Sequence, residues 1–112
     1  MIKHEFIAIK RSQIPNEIDF SLTHLYPCTV LPDEIIFHNM NDFKVGFKTC
    51  FNSLESINEG LNYYGVTIIL NEDINQFISV LLKHKRWRSV KTLIKFCNTA
   101  KEDELDIIHF GI

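Results

Sequence analysis

The sequence predicts an α+β fold: a mainly antiparallel sheet of about four to five strands, packed by two to three helices. Three observations predict this class. Strand-like segments cluster in the first third of the chain, stretches with helical spacing follow, and two further strand-like segments lie between and after those stretches. The 112 residues, 46% of them hydrophobic, fit one globular domain over residues 1–112 with a core of its own.

The first third is expected to contain three strands. Residues 5–9 form a short apolar run typical of a strand, and residues 18–22 alternate apolar and polar side chains with a period of two. Pro27 and Pro32 bracket an expected loop, because proline lacks the backbone donor that a central strand needs. Residues 34–38 are the third candidate strand of this initial β-rich unit.

The pattern then changes from the period of a strand to that of a helix. Apolar side chains recur at helical intervals at Phe43, Phe47, Cys50, Phe51, Leu54 and Ile57. Asn41 is the expected N-cap of this segment and Gly60 its expected left-handed stop. The sequence therefore predicts an amphipathic helix over residues 43–57.

The second half predicts a strand, helical stretches and a closing strand. Residues 64–70 are dense in β-forming side chains, which indicates a buried strand. Helical spacing returns over residues 74–82 and again over residues 90–97. Either Ser89 caps a separate helix or the two apolar stripes belong to one bent helix. Residues 105–110 predict the final strand.

Motifs for catalysis or cofactor binding are absent: the sequence has no P-loop, no GxGxxG and no GxSxG. The five histidines form no metal-binding pair, so neither a metal nor a cofactor is expected. Three cysteines without a CxxC pair argue against a disulfide scaffold and against structural zinc. Cys28, with His24 as its base, is the candidate nucleophile of an enzyme hypothesis that ranks below a binding function.

The chain is expected to be cytoplasmic, with no membrane partner. Its longest apolar run, at residues 66–70, is far shorter than the ~20 residues of a membrane span. The first ten residues lack the basic start, apolar stretch and small-residue cleavage site of a signal peptide.

The formal net charge of -2 conceals segments of opposite sign. Residues 12–43 contain five acidic side chains and no Lys or Arg, and residues 102–106 add four acids. Residues 83–95 contain six cations, no acid and Trp87. Acidic segments suit a basic protein partner, whereas cations interleaved with an aromatic ring suit nucleic acid. For cations at the end of a predicted helix, attraction to the helix dipole is the simpler explanation.

The chain also resembles a known family. Its Ile-, Asn- and Lys-rich composition, the segments FKVGF (43–47) and SLESI (53–57) before Gly60, and the strand GVTIIL (65–70) resemble the small immunity proteins of bacterial contact-dependent growth inhibition. The resemblance implies a cytoplasmic protein that neutralises the C-terminal toxin domain of such a system, a nuclease or tRNase. It implies stoichiometric occlusion of the toxin's active site or substrate surface, with that domain as the partner and without a cofactor.

Two hypotheses therefore name two sets of side chains. Candidate contacts with a toxin domain are the tyrosines Tyr26, Tyr63 and Tyr64 and the acids Glu17, Asp19, Asp33, Glu34, Glu102, Asp103, Glu104 and Asp106. The alternative is a small nucleic-acid-associated accessory or phage protein. Its candidate face consists of Lys83, Lys85, Arg86, Trp87, Arg88, Lys91 and Lys95.

Overall fold

The computed structural model of the chain describes residues 2–112, and within that range it contains six strands and four helices. The strands are β1 (Lys3–Ile9), β2 (Cys28–Pro32), β3 (Lys48–Phe51), β4 (Ile57–Glu59), β5 (Val66–Ile69) and β6 (Asp106–Phe110). The helices are α1 (Asp33–His38), α2 (Met40–Phe43), α3 (Ile74–Leu82) and α4 (Arg88–Glu102). The predicted α+β class is confirmed, with six strands where four to five were expected.

All six strands form one antiparallel sheet in the order β2-β1-β6-β5-β3-β4. The first and last strands of the chain are neighbours in its interior, with Ile7 opposite Ile108. The two edges are β2 and β4. Because β1 and β6 are neighbours, residues far apart in sequence lie next to each other in the middle of the sheet.

Both faces of the central strands are buried, which explains their almost continuously apolar sequences. Phe6 and Ala8 of β1 pack with the apolar faces of α3 and α4, whereas Ile7 and Ile9 belong to a second cluster on the opposite face. That second face is covered by half-buried side chains of the irregular segment after β1, namely Ile14, Ile18, Leu22 and Tyr26. The core consequently has two layers, one on each side of the sheet.

The predictions for strands β1, β5 and β6 and for α3 are confirmed. The choice left open for the second helical stretch is settled in favour of two helices, because α3 ends at Leu82 and α4 begins at Arg88. The residue at the N-cap position of α4 is Trp87 and makes no side-chain cap. Ser89, the expected cap of a separate helix, therefore lies inside the first turn.

Two of the three strands expected in the first third are wrong. Residues 18–22 run into a 3₁₀ turn at Phe20–His24, because the Asp19 carboxylate accepts a hydrogen bond from the Ser21 amide at 2.7 Å and competes with extended pairing. Residues 34–38 belong to α1, where Asp33 and Glu34 favour a helical first turn.

The loop predicted between Pro27 and Pro32 is wrong as well, because these residues flank and end the edge strand β2. An edge strand tolerates proline, since one side of its backbone has no ladder partner. Pro32 occupies the last position of β2 and the N-cap position of α1. It therefore joins the strand directly to the helix.

The long helix predicted over residues 43–57 does not form. Two short strands, β3 and β4, occupy most of that range. Gly46 and Asn52 have φ values of 91° and 66°, in the left-handed region that a continuous helix excludes. The helical spacing is coincidental: Phe47 packs in the helix-side core layer, whereas Cys50 packs in the opposite layer.

Gly60 has the positive φ expected of it, 72°, but at the end of a strand hairpin rather than at the end of a helix. A Cβ atom there would lie 2.2 Å from the backbone carbon and oxygen of Lys44. We expect Gly60→Ala to lower the free energy of unfolding by about 2 kcal/mol, since it combines left-handed strain with a backbone clash. Urea denaturation of the variant measures this loss.

The matched control is Gly46→Ala. Gly46 shares the positive φ, but its added Cβ would meet only the Val80 side chain at 3.6 Å. This control should lose only the strain contribution of about 1 kcal/mol. Equal losses in the two variants would show that the contact between Gly60 and the Lys44 backbone is not tight.

Candidate functional site

A group of exposed apolar side chains surrounds the start of α1. Ile2, Phe37 and Tyr64 expose 63%, 59% and 79% of their surface. Two shallow grooves meet at Phe37: one runs past Asp33 and Glu34, and the other runs past Tyr63 and Tyr64. We call the exposed side chains, together with the side chains that line the grooves beside them, the aromatic surface. Its members are Ile2, Asp33, Glu34, Phe37, Tyr63 and Tyr64.

Five polar side chains run from the aromatic surface into the sheet, and we call them the polar chain. The Tyr63 hydroxyl donates to Asp33 Oδ1 at 2.5 Å, and His4 Nε2 lies 2.9 Å from the same oxygen. His4 Nδ1 lies 2.8 Å from His109 Nε2, and His109 Nδ1 lies 3.1 Å from the Thr67 hydroxyl. The two histidines and Thr67 are fully buried, so the polar chain connects a surface carboxylate with the interior of the sheet.

The donors of the polar chain have one consistent order when both imidazoles are neutral. Ionised Asp33 only accepts, so His4 carries its proton on Nε2 and accepts at Nδ1 from the Nε2–H of His109. His109 Nδ1 then accepts from the Thr67 hydroxyl, whose oxygen accepts from the backbone N–H of Asn62 at 2.8 Å. A proton added to His4 Nδ1 would bring two N–H donors face to face. The network is therefore built for uncharged histidines.

Burial and hydrogen bonding set the protonation of the polar chain. Desolvation lowers the pKa of His4, against the opposing hydrogen bond with Asp33, and lowers the pKa of His109 well below its ordinary value. Burial raises the pKa of Asp33, but the hydrogen bonds from Tyr63 and His4 outweigh it and hold that pKa below its ordinary value. Burial and the Asp33 carboxylate raise the pKa of Tyr63 to about 12. The aromatic surface thus presents an ionised carboxylate held by two neutral donors.

The structure places the predicted toxin contacts in separate regions. Four of them, Asp33, Glu34, Tyr63 and Tyr64, belong to the aromatic surface. Glu17 and Asp19 are exposed on the segment that covers the opposite face of the sheet. Glu102, Asp103 and Glu104 are exposed at the end of α4 and in the turn that follows it. The acidic residues therefore do not form one continuous acidic face.

Two of the predicted contacts, Asp106 and Tyr26, are buried or half-buried within the fold. Asp106 is 1% exposed, and its carboxylate accepts hydrogen bonds from the Arg11 guanidinium and from the Asn71 amide. A buried, fully paired carboxylate is inaccessible to a partner, so the prediction of Asp106 as a toxin contact is wrong. Tyr26 is half-buried and packs against the second core layer.

The side chains of the predicted nucleic-acid face are all on the surface, and we call them the basic surface. Its members are Lys83, Lys85, Arg86, Trp87, Arg88, Lys91 and Lys95, and all are exposed. None of its six cations takes part in an ion pair within residues 2–112. The Arg86 guanidinium lies 5.3 Å from the centre of the Trp87 ring. Because no carboxylate neutralises them, these cations are available to an anionic partner.

The enzyme hypothesis at Cys28 lacks a matching geometry. Partial burial raises the pKa of the Cys28 thiol, which keeps it protonated and weakly nucleophilic. Its sulfur contacts the Thr29 carbonyl at 3.7 Å, and no hydrogen bond joins it to His24 in the described part of the chain.

Residues 2–112 contain no group of three or more His, Cys, Asp or Glu side chains arranged to hold a metal ion. Every helix among them is too short or too polar to traverse a bilayer.

Sequence reasoning missed part of the aromatic surface and three of the five residues of the polar chain. Phe37 went unnoticed because its segment was predicted as a strand, although Pro32 followed by two acids is a helix-start signal. The pair of His4 and His109 joins residues 105 positions apart, and no local pattern announces such a contact.

Comparisons of the chain with protein-family models, with curated proteins and with solved structures find no match.

Proposed function

We propose that this protein is a cytoplasmic immunity protein that binds and neutralises the C-terminal toxin domain of a contact-dependent growth inhibition system. The toxin is a nuclease or tRNase, and the protein occludes its active site or its substrate surface. The observation that carries the proposal is the aromatic surface, where exposed rings of Phe37 and Tyr64 lie beside the carboxylates of Asp33 and Glu34.

The aromatic rings have the properties of an interface centre. Binding energy in protein complexes concentrates in a few aromatic anchors that become fully desolvated. Phe37 and Tyr64 are both exposed, and burying such rings against a partner removes a large apolar area from water. The two rings therefore provide affinity that the scattered acidic residues alone would not.

The carboxylates supply charge matched to a nuclease. An enzyme that binds phosphates has a basic surface, and carboxylates opposite such a surface accelerate encounter and select the partner. The side chain of Asp33 is 18% exposed, and hydrogen bonds from Tyr63 and His4 fix its position. A group held in place before binding loses little conformational entropy on binding, which strengthens the complex.

The test is co-expression with the toxin domain encoded beside this protein's gene. We expect the wild-type protein to co-purify with that domain and to restore growth of cells that express it. The double variant Phe37→Ser/Tyr64→Ser should weaken the complex by at least about 30-fold, since each anchor contributes at least about 1 kcal/mol. Titration calorimetry and growth of the co-expressing cells measure the two effects.

Leu25→Ser is the matched control, because Leu25 is 72% exposed and lies on the segment that covers the opposite face of the sheet. It removes an exposed apolar side chain outside the aromatic surface and should leave binding and growth intact. The absence of any complex with the wild-type protein would contradict the immunity function. Full binding by the double variant would contradict the assigned surface.

A further inference from the structure

Attraction to a helix dipole explains only part of the basic surface. Lys83 and Lys85 follow the C-terminal end of α3, where cations are attracted by the helix dipole. Arg88 and Lys91 lie instead within the first four residues of α4, at the positive end of its dipole. No acidic side chain occupies that first turn. Cations in this position lower the stability of the helix, which favours a role for them outside folding.

These cations form a straight stripe that ends at an aromatic ring. Arg88, Lys91 and Lys95 recur at intervals of three and four residues and so share one face of α4. At 1.5 Å per residue the stripe is about 10 Å long, a length that about three consecutive phosphates of a strand occupy. Trp87 adjoins its first cation and is 41% exposed, with Arg86 beside its ring.

We propose that the basic surface binds single-stranded nucleic acid, with backbone phosphates along Arg88, Lys91 and Lys95 and a base stacked on Trp87. The exposed ring favours a single strand over a duplex, because a base must be free of its helical stack to lie on an aromatic side chain. It also favours nucleic acid over an acidic peptide, since every base offers a π-face. This activity uses a different surface from the immunity function and does not depend on it.

Trp87 is the sole tryptophan of the chain, so its fluorescence reports directly on the proposed site. The experiment titrates the full chain with oligothymidine of about 20 nucleotides, a length that exceeds the strand one small domain covers. We expect saturable quenching of Trp87. The observed affinity should fall with rising salt, with a log–log slope near −2 for about three phosphate contacts on a single strand.

Charge-reversal variants locate the binding. Arg88→Glu/Lys91→Glu should weaken binding at least tenfold while preserving the fold, because acids stabilise the start of a helix. The control, Lys3→Glu/Lys10→Glu, changes the net charge equally at two exposed lysines outside the basic surface and should alter binding less than twofold. In a separate assay with labelled oligothymidine, Trp87→Ala should weaken binding at least fivefold through lost stacking.

Several outcomes would overturn the proposal. They are absence of quenching at low salt, equal loss of affinity in the two charge-reversed variants, and unchanged binding by Trp87→Ala. A duplex of the same length that binds as tightly as the single strand overturns the assignment to single strands. Equal quenching by polyglutamate instead assigns the surface to an acidic protein. None of these results bears on the aromatic surface, so failure of either proposal is recognisable by itself.

Discussion

Replacing Asp106 with alanine is expected to lower the free energy of unfolding by about 3 kcal/mol. The carboxylate accepts hydrogen bonds from Arg11 Nε at 2.9 Å and from Arg11 Nη2 at 3.0 Å. It also accepts one from the backbone N–H of Asn71 at 2.8 Å. Breaking a buried ion pair typically costs about 3–5 kcal/mol, because the remaining partner loses its counter-charge. The lower end applies here, since Arg11 is half-exposed and keeps its second ion pair, with Glu72, when Asp106 is removed. Urea unfolding of the variant gives the value.

The position of Asp106 explains the size of this effect. It begins β6 opposite Ile9 of β1, and its hydrogen bonds reach the turn after β1 and the turn before α3. One carboxylate thus links β6 to the turn after β1 and to the turn before α3. Asp103→Ala is the control, because Asp103 is exposed and its change should stay within about 0.5 kcal/mol. A loss below about 1 kcal/mol in Asp106→Ala would contradict the structural role of this carboxylate.

The parts of the fold that sequence reasoning predicted are those with strong local patterns. The apolar side chains of the strand β5 and of the helix α3 recur at the intervals expected for a buried strand and a helix with one buried face. Both elements form at the positions that these intervals predict. The segment at residues 43–57 has a pattern of the same apparent quality and forms strands instead. There, left-handed turns at Gly46 and Asn52 and pairing with β5 override the local preference.

The two candidate surfaces also differ in how far the sequence alone predicts them. The basic surface lies within 13 consecutive positions, 83–95, so its sequence displays it directly. The aromatic surface and the polar chain join residues from both ends and the middle of the chain. Asp33 meets Tyr63 and His4 only because α1 follows an edge strand that pairs with β1. Such contacts depend on strand order, which side-chain periodicity does not encode.

The stability of the protein is expected to fall steeply as the pH is lowered below about 6.5, the ordinary pKa of histidine. Burial lowers the pKa of His4 and of His109 in the folded state, so both stay neutral there while the unfolded chain takes up two protons. Well above pH 6.5 both states are uncharged at these residues and the contribution is constant. Below it, each excluded proton lowers the free energy of unfolding by about 1.4 kcal/mol per pH unit.

The two histidines together give a slope that approaches about 2.7 kcal/mol per pH unit. The contribution of His4 to the slope ends when the pH reaches its lowered folded-state pKa, and that of His109 continues to lower pH. Asp33 does not account for this slope. The pKa of its carboxyl is held below the ordinary value of 3.8, so its stabilising effect is lost only at more acidic pH. Urea unfolding between about pH 7.5 and pH 5 covers the histidine window.

Comparison of slopes separates the buried histidines from the remaining titratable groups. His4→Gln is expected to lower stability at neutral pH, because an amide replaces the imidazole between Asp33 and His109. Its diagnostic effect is a smaller slope below pH 6.5, by an amount that approaches about 1.4 kcal/mol per pH unit as the unfolded chain becomes fully protonated. The matched control is His24→Gln, which makes the same substitution at an exposed histidine outside the polar chain. If His4→Gln retained the wild-type slope, or if NMR showed His109 protonated at pH 6, the neutral hydrogen-bond order of the polar chain would be wrong.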